Sequence, residues 1–224
     1  MSATREAAIV KPLTECRLYA FVDGAYLHDR NPADLARQLC DGGAALTQLR
    51  AKDWPLDQIR ETAEALLPIT QAAGVRLVIN DHRQLAREVG ADFCHLGQED
   101  FFENEFPPQP STLNPQLGLS THAPDQAERA MGTNAAYLAI GPVFATPTKP
   151  GRPGVTLDYV CWAAVNVDRP WFAIGGITLE NIDSVLEAGA RRICVVSAIL
   201  NAPDIPHACQ QFHKHLASVP LQKS

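Results

Sequence analysis

The chain has 224 residues, of which 46% are hydrophobic and 20% are charged, and its formal net charge is −6. This acidic balance, without a basic tail, argues against a protein whose main partner is nucleic acid. The chain shows neither a signal-peptide core nor a long apolar run, so we expect a cytoplasmic protein that does not enter a membrane, with its six scattered cysteines reduced and buried.

Eight short apolar segments predict β-strands. In chain order they span residues 17–22, 44–50, 76–80, 92–97, 116–121, 135–141, 171–176 and 192–198. Between most of them lie segments with helical spacing of apolar residues, at 31–43, 55–74, 83–90, 123–133, 156–166 and 178–190. The segment 98–115, after the fourth strand, contains four prolines and predicts a short turn and a loop.

Alternation of apolar strands and helices predicts a parallel sheet that is covered on both faces. Eight such units without a linker favour a single (β/α)8 TIM barrel over an open doubly wound sheet. We expect the barrel to comprise residues 17–224, preceded by an N-terminal extension at 1–16. Chemistry in this fold occurs where strands end and loops begin, so polar residues at strand ends are the candidate site.

The second strand ends with alternating polar side chains, Gln48, Arg50 and Lys52. Residues two apart on a strand point to the same side, so these three are expected to project together. An amide and two cations in one place suit a polyanion such as a diphosphate, because Arg can bind two oxygens at once and Lys adds a compact charge. The alternative is an ordinary solvated start of a loop.

Carboxylates follow the next two strands. Asn80 and Asp81 end the third strand, and Asp100 follows the fourth. Mg²⁺ takes few protein carboxylates and completes its shell with water and substrate phosphates, so Asp81 and Asp100 are candidate ligands. Glu99 competes for the same role, and solvated loop acids are the alternative. His95, within the fourth strand, fits either a hydrogen-bonded core position or the pocket.

The later strand ends suggest a second anion site. Ser120, which ends the fifth strand, is suited to donate to a phosphate oxygen, whereas His122 fits either the site or a cap for the next helix. Gly176 after the seventh strand, with Val196 and Ser197 after the eighth, predicts a phosphate site built from backbone N–H groups.

The loop after the sixth strand, residues 141–155, holds four prolines together with Thr146, Thr148 and Lys149. In a barrel it lies over the mouth, and its prolines restrict the conformations of these three side chains.

Taken together, these strand ends resemble the thiamine-phosphate synthase family of (β/α)8 barrel enzymes. The matching pieces run in the family's order between residues 18 and 199: "QLRAKD", "INDHRQLAREVGADFCHLGQED", "GLSTHAPDQAERA", "AIGPVFATPTKPG", "AIGGITLENIDSVLEAGA" and "VVSAI". The resemblance implies a Mg²⁺-dependent transferase that joins hydroxymethylpyrimidine diphosphate to hydroxyethylthiazole phosphate and releases pyrophosphate. Its partners would be these small molecules, and the sequence leaves open whether the chain forms a homo-oligomer.

The resemblance also implies a role for each candidate residue. The pyrimidine diphosphate would be bound by Gln48, Arg50, Lys52, Asn80, Ser120 and Lys149. Mg²⁺ would be held by Asp81 and Asp100, and the thiazole phosphate by Thr146, Thr148, Gly176, Val196 and Ser197. The catalytic groups acting on the departing diphosphate would be Arg50, Lys52, Lys149 and Ser120.

Two other functions fit the same barrel. One is a thiazole tautomerase-like isomerase, in which His122 would act as an acid or base. The other is a non-catalytic barrel that binds thiamine precursors. The presence of the whole cationic and acidic set argues against both, because neither function needs a complete diphosphate and metal site.

Overall fold

The computed structural model of the protein describes residues 9–103, 114–145 and 154–221. Its strands are β1 Leu18–Asp23, β2 Leu46–Arg50, β3 Arg76–Asn80, β4 Phe93–Leu96, β5 Gln116–Thr121, β6 Tyr137–Ile140, β7 Trp171–Ile174 and β8 Ile193–Cys194. Each strand pairs in parallel with the next, and β8 pairs with β1 to close the barrel. The predicted (β/α)8 architecture is therefore confirmed.

Helices connect the strands around the outside of the barrel. They are α1 Pro32–Asp41, α2 Leu56–Ala72, α3 Arg83–Val89, α4 Gln98–Glu103, α5 Pro124–Met131, α6 Thr156–Asn166, α7 Ile182–Glu187, α8 Ser197–Leu200 and α9 Ile205–Ala217. The start of α1 shows why a helix begins there: the Asn31 side chain accepts from the backbone N–H groups of Ala33 and Asp34, and Pro32 occupies the first turn. Asp204 caps α9 in the same manner by accepting from the backbone of His207.

The segment after β4 was predicted wrongly in its first part. Residues 98–103 form the helix α4 rather than a turn, because the prolines that argued against a helix all lie beyond it. The rest of that segment, up to residue 113, lies outside the described residues.

The cysteines depart in part from the expectation that all six are buried. All are free thiols, and Cys16, Cys94, Cys194 and Cys209 are buried in the core, whereas Cys40 is half-buried. Cys161 is exposed, because its position on α6 faces away from the barrel. Separately, no helix in the described ranges combines the length and apolar character needed to cross a membrane.

Aromatic rings fill the interior of the barrel. The ring of Tyr137 packs edge-on against those of Tyr19, Phe93 and Phe172, with centroid distances of 5.8, 5.5 and 5.6 Å. Gly118 lies opposite Tyr137 in the β5–β6 register, and a Cβ at this position would overlap the Tyr137 ring. The interior is therefore a packed layer that forms the floor beneath the carboxyl ends of the strands.

Candidate active site

A cavity of about 430 Å³ opens at the carboxyl ends of the strands. Every predicted site residue within the described ranges lines it: Gln48, Arg50, Lys52, Asn80, Asp81, Asp100, Ser120, Gly176, Val196 and Ser197. Thr146, Thr148 and Lys149, predicted to belong to the same site, lie outside the described residues. The structure thus brings together groups from six different strand ends, as the parallel register requires.

One wall of the cavity carries the cations that follow β2. Arg50 donates from Nη1 to Oδ2 of Asp23 at 2.8 Å, and the side chain of Asp23 is only 1% exposed. The other carboxylate oxygen of Asp23 accepts from the backbone N–H of Ala25. This ion pair holds the guanidinium at the rim, whereas Lys52 is more than half exposed and lies 3.9 Å from Asp81.

Asp23 is a site residue that the sequence reasoning missed. It ends β1, and the β1–β2 register places it directly opposite Arg50. A carboxylate at the end of an otherwise apolar strand was the available signal, because a buried acid requires a partner.

The neighbouring wall carries the carboxylates. Asp81 occupies a left-handed backbone conformation, with φ of 64°, and its Oδ2 accepts from Nδ2 of Asn80 at 2.6 Å. Asp100 lies in the first turn of α4 and folds back over Gly97, where an added Cβ would come within 2.6 Å of Asp100 Oδ2. Both carboxylates therefore occupy constrained positions that line the cavity.

This donor set fits a magnesium ion that is shared with a ligand. In the described part of the chain, no group of three or more His, Cys, Asp and Glu side chains could hold a metal without help. Two hard carboxylates suit Mg²⁺, which is commonly bound by one or two carboxylates plus phosphate oxygens of the substrate. Glu99 also lines the cavity, so the geometry keeps it as a competing ligand.

The opposite wall is built from small residues after β7 and β8. Gly175 and Gly176 have backbone φ values of 106° and 64°, which residues with a side chain rarely adopt. A Cβ on Gly176 would come within 2.8 Å of Phe144 Cβ, and the backbone N–H of Phe144 donates to Gly175 O at 3.1 Å. The glycines thus let Phe144, at the start of the loop after β6, lie directly against the end of β7.

A chain of hydrogen bonds crosses the cavity floor. Gln48 Nε2 donates to the Tyr19 hydroxyl, which lies 2.9 Å from the Tyr137 hydroxyl. That hydroxyl is 3.1 Å from Nδ1 of His95, whose Nε2 is 2.9 Å from Ser120 Oγ. Burial raises the pKa of both tyrosines well above the ordinary value, so both stay protonated.

The structure decides between the alternative roles that the sequence left open for His95 and for His122. His95 is 8% exposed and serves both as a hydrogen-bonded core residue and as part of the cavity lining. His122 also lines the cavity, and its Nδ1 contacts the Gly141 carbonyl oxygen. It does not cap α5, because Ala123 holds the cap position there.

Comparison with known proteins agrees with this geometry. The sequence model of a family described as thiamine monophosphate synthase matches residues 18–199. The thiamine-phosphate synthase of Thermus thermophilus is 46% identical over 187 residues, which cover 83% of this chain and 89% of the relative. The thiamine-phosphate synthase of Acidothermus cellulolyticus is 40% identical over 215 residues, which cover 92% and 97%.

Solved structures of other proteins show that the fold of this chain is similar to theirs as well. The thiamine phosphate pyrophosphorylase from Pyrococcus furiosus has a TM-score of 0.79 at 26% identity, covering 92% of this chain and 98% of its own. A 3-hexulose-6-phosphate synthase has a TM-score of 0.60 at 18% identity over 89% of this chain and 99% of its own, and this likeness shows the fold alone. Because the family match and the identities span most of its length, the chain belongs to the thiamine monophosphate synthase family.

Proposed function

We propose that this chain is a thiamine-phosphate synthase that joins hydroxymethylpyrimidine diphosphate to hydroxyethylthiazole phosphate and releases pyrophosphate. Membership of the family supports the activity. The single observation that carries the assignment of the site is one cavity with cations and carboxylates on two neighbouring walls and glycine and serine backbone on the opposite wall. Such a cavity suits two different phosphorylated ligands bound side by side.

The diphosphate would bind at the cationic wall. The buried Asp23 carboxylate orients the Arg50 guanidinium, and the exposed Lys52 adds a second positive charge. Gln48 and Asn80 would add amide groups to the diphosphate site, and Ser120 would add a hydroxyl. Lys149, from the segment between β6 and α6, would complete this set.

Asp81 and Asp100 would hold Mg²⁺ at the neighbouring wall, next to the cations. When bound, the ion would neutralise negative charge on the leaving diphosphate, in addition to the charge neutralised by Arg50 and Lys52. Lys52 lies 3.9 Å from Asp81, so a metal ion held by this carboxylate would lie beside one of the cations proposed to bind the diphosphate.

The thiazole phosphate would bind at the opposite wall. Gly176, Val196 and Ser197 line the cavity there, and their small or backbone groups allow an anion to approach N–H donors closely. Thr146 and Thr148 would supply hydroxyls from the loop after β6.

The reaction would need no protein nucleophile. Departure of pyrophosphate from the pyrimidinylmethyl carbon leaves a cation that the electron-rich aminopyrimidine stabilises. The thiazole nitrogen then forms the new C–N bond. The contribution of the protein is to stabilise the charge on the leaving group and to hold the two ligands in line.

We further propose that the protein works in the cytoplasm on these small molecules, without a nucleic-acid partner. One barrel domain from residue 17 would carry the whole activity, with residues 1–16 as an extension.

The activity can be tested directly with purified protein. Given both precursors and Mg²⁺, the protein is expected to form thiamine phosphate and pyrophosphate in equal amounts. Chelation of the metal is expected to stop turnover, and added Mg²⁺ to restore it. Isomerisation of the thiazole without pyrophosphate release would instead favour the tautomerase.

Asp81→Asn and Asp100→Asn test the metal assignment. Each is expected to lower kcat/KM by about 10-fold to 100-fold and to raise the Mg²⁺ concentration for half-maximal rate, since each replaces a negative carboxylate ligand by a neutral amide. Glu99→Gln, on the same turn of α4 as Asp100, is the matched control and is expected to change neither value by more than about twofold. If Glu99→Gln gave the larger shift, Glu99 would be the ligand and the assignment of Asp100 would be wrong.

A further inference from the structure

The hydrogen-bond chain beneath the cavity links two groups that both face the ligand. It begins at Gln48 on β2 and ends at Ser120 on β5, passing through Tyr19, Tyr137 and His95. Tyr137 is fully buried, so it contacts the ligand space only through its neighbours. Tyr137 therefore acts on the reaction only through its hydrogen-bonded neighbours Tyr19 and His95, which line the cavity.

The direction of the bonds follows from counting protons. An amide nitrogen only donates, so the Tyr19 oxygen accepts from Gln48. Tyr19 has one proton, and among the described residues its only other hydrogen-bond partner is the hydroxyl of Tyr137. If Tyr19 did not donate to Tyr137, a buried hydroxyl proton would remain unpaired, which is costly.

Counting the hydroxyl protons in this way also determines which ring nitrogen of His95 carries its proton. Because Tyr137 accepts from Tyr19, its own proton is available for Nδ1 of His95. A neutral imidazole that accepts at Nδ1 carries its proton on Nε2, which then donates to Ser120 Oγ at 2.9 Å. Ser120 keeps its own proton for another acceptor.

The ligand requires this direction. A diphosphate oxygen only accepts hydrogen bonds, so a serine beside it must donate. In the reverse direction, Ser120 would donate its proton to His95 and present only lone pairs to the anion. This step rests on the proposed function, whereas the direction of the buried bonds does not.

We propose that Tyr19, Tyr137 and His95 are positioning residues that hold His95 as the Nε2–H tautomer, so that the Ser120 hydroxyl donates to the leaving diphosphate. The three residues transfer no proton during the reaction. They set which way one hydroxyl proton points before the substrate arrives.

Tyr137→Phe is the central test. It removes the donor to His95 Nδ1, which lets the imidazole take its proton at Nδ1 and accept from Ser120 at Nε2. We expect kcat to fall roughly 10-fold to 100-fold, as for a lost hydrogen bond to a charged group, with the KM for the thiazole phosphate within about twofold. The loss is expected mainly in kcat because the charge on the diphosphate grows as it leaves.

Tyr159→Phe is the matched control. Tyr159 is also buried, and its hydroxyl donates to Thr121 Oγ1 at 2.8 Å, on the opposite side of β5 from the Ser120 side chain. It loses a buried tyrosine hydrogen bond of the same kind and is expected to leave kcat unchanged. An equal fall of kcat in both variants would mean that Tyr137 acts only through stability, and the proposal would be wrong.

Two further measurements separate positioning from packing. Nitrogen-15 NMR of histidine-labelled protein, assigned with His95→Gln, is expected to show the Nε2–H tautomer in the wild type and a shift towards Nδ1–H in Tyr137→Phe. In Ser120→Ala, adding Tyr137→Phe is expected to cause little further loss of kcat, because both changes act on one hydroxyl. A wild-type Nδ1–H tautomer, or losses that multiply in the double variant, would overturn the proposal.

The tautomer measurement uses the protein without substrate. If the wild type failed to make thiamine phosphate, the proposed function would fail, yet the NMR result would still decide the direction of the hydrogen-bond chain.

Discussion

At the scale of single residues, the ion pair between Asp23 and Arg50 sets the cationic wall. The Arg50 side chain is 15% exposed, so it is held by its partner yet still lines the cavity. Asp23→Asn is expected to lower kcat/KM about 10-fold to 100-fold, because a displaced Arg50 no longer meets the diphosphate. The free energy of unfolding is expected to fall by about 1–3 kcal/mol, measured by denaturant titration.

Asp34→Asn is the control for this change. Asp34 also pairs with an arginine, Arg37 at 2.6 Å, but both side chains are more than half exposed on α1. Surface pairs contribute less than about 1 kcal/mol, so neither stability nor rate should change appreciably. Equal effects of the two variants would show that Asp23 has no special role.

At the scale of elements, the placement of α4 decides where Asp100 lies. The guanidinium of Arg129 on α5 stacks over Phe102 at 3.6 Å from the ring centroid, and Phe101 packs edge-on against Phe102 at 4.9 Å. Stacking of an exposed arginine such as Arg129 on an aromatic ring contributes about 0.5–1 kcal/mol. The contact between Arg129 and Phe102 therefore holds the short acidic helix α4 against α5.

Arg129→Met tests whether the contact between Arg129 and Phe102 positions α4. Because α4 would be held less firmly, the Mg²⁺ concentration for half-maximal rate is expected to rise about 2-fold to 5-fold, while kcat at saturating Mg²⁺ stays close to wild type. Arg87→Met removes the same charge from an exposed position at the end of α3 and should leave the metal response unaltered. A metal response equal to wild type in Arg129→Met would contradict the role given to this contact.

At the scale of the whole molecule, the packed interior supports the cavity floor. Gly118 leaves the space that Tyr137 occupies, so Gly118→Ala must displace the ring or the strand. Overpacking of this kind costs about 1–3 kcal/mol, which a lowered Tm would report. We also expect a fall in kcat, because Tyr137 would move away from His95.

Gly90→Ala serves as the comparison. Its φ of 84° strains any side chain, but an added Cβ would meet nothing within 4 Å. It is expected to lose about 1 kcal/mol of stability without a change in kcat. If Gly118→Ala kept normal kcat as well, the interior layer would not support the site.

The accuracy of the sequence predictions varied between elements. The ranges of β3 and β5 were predicted correctly, because turn residues bound both apolar runs. The eighth strand was predicted at 192–198, yet β8 is only Ile193–Cys194, because the chain leaves the barrel and begins α8 at Ser197. An apolar, β-branched run predicts a strand whether or not a pairing partner lies beside it.

The sequence by itself determined the eightfold alternation and the polar residues at the rim, because apolar period and strand-end position are local properties of the chain. Only the tertiary structure decided which of these residues meet. Tyr19 and Tyr137 are 118 residues apart in the chain, and their hydroxyls meet because closure of the barrel directs both side chains into one interior. The partner of Arg50 likewise depends on the register of β1 against β2, and register follows from packing of the complete barrel.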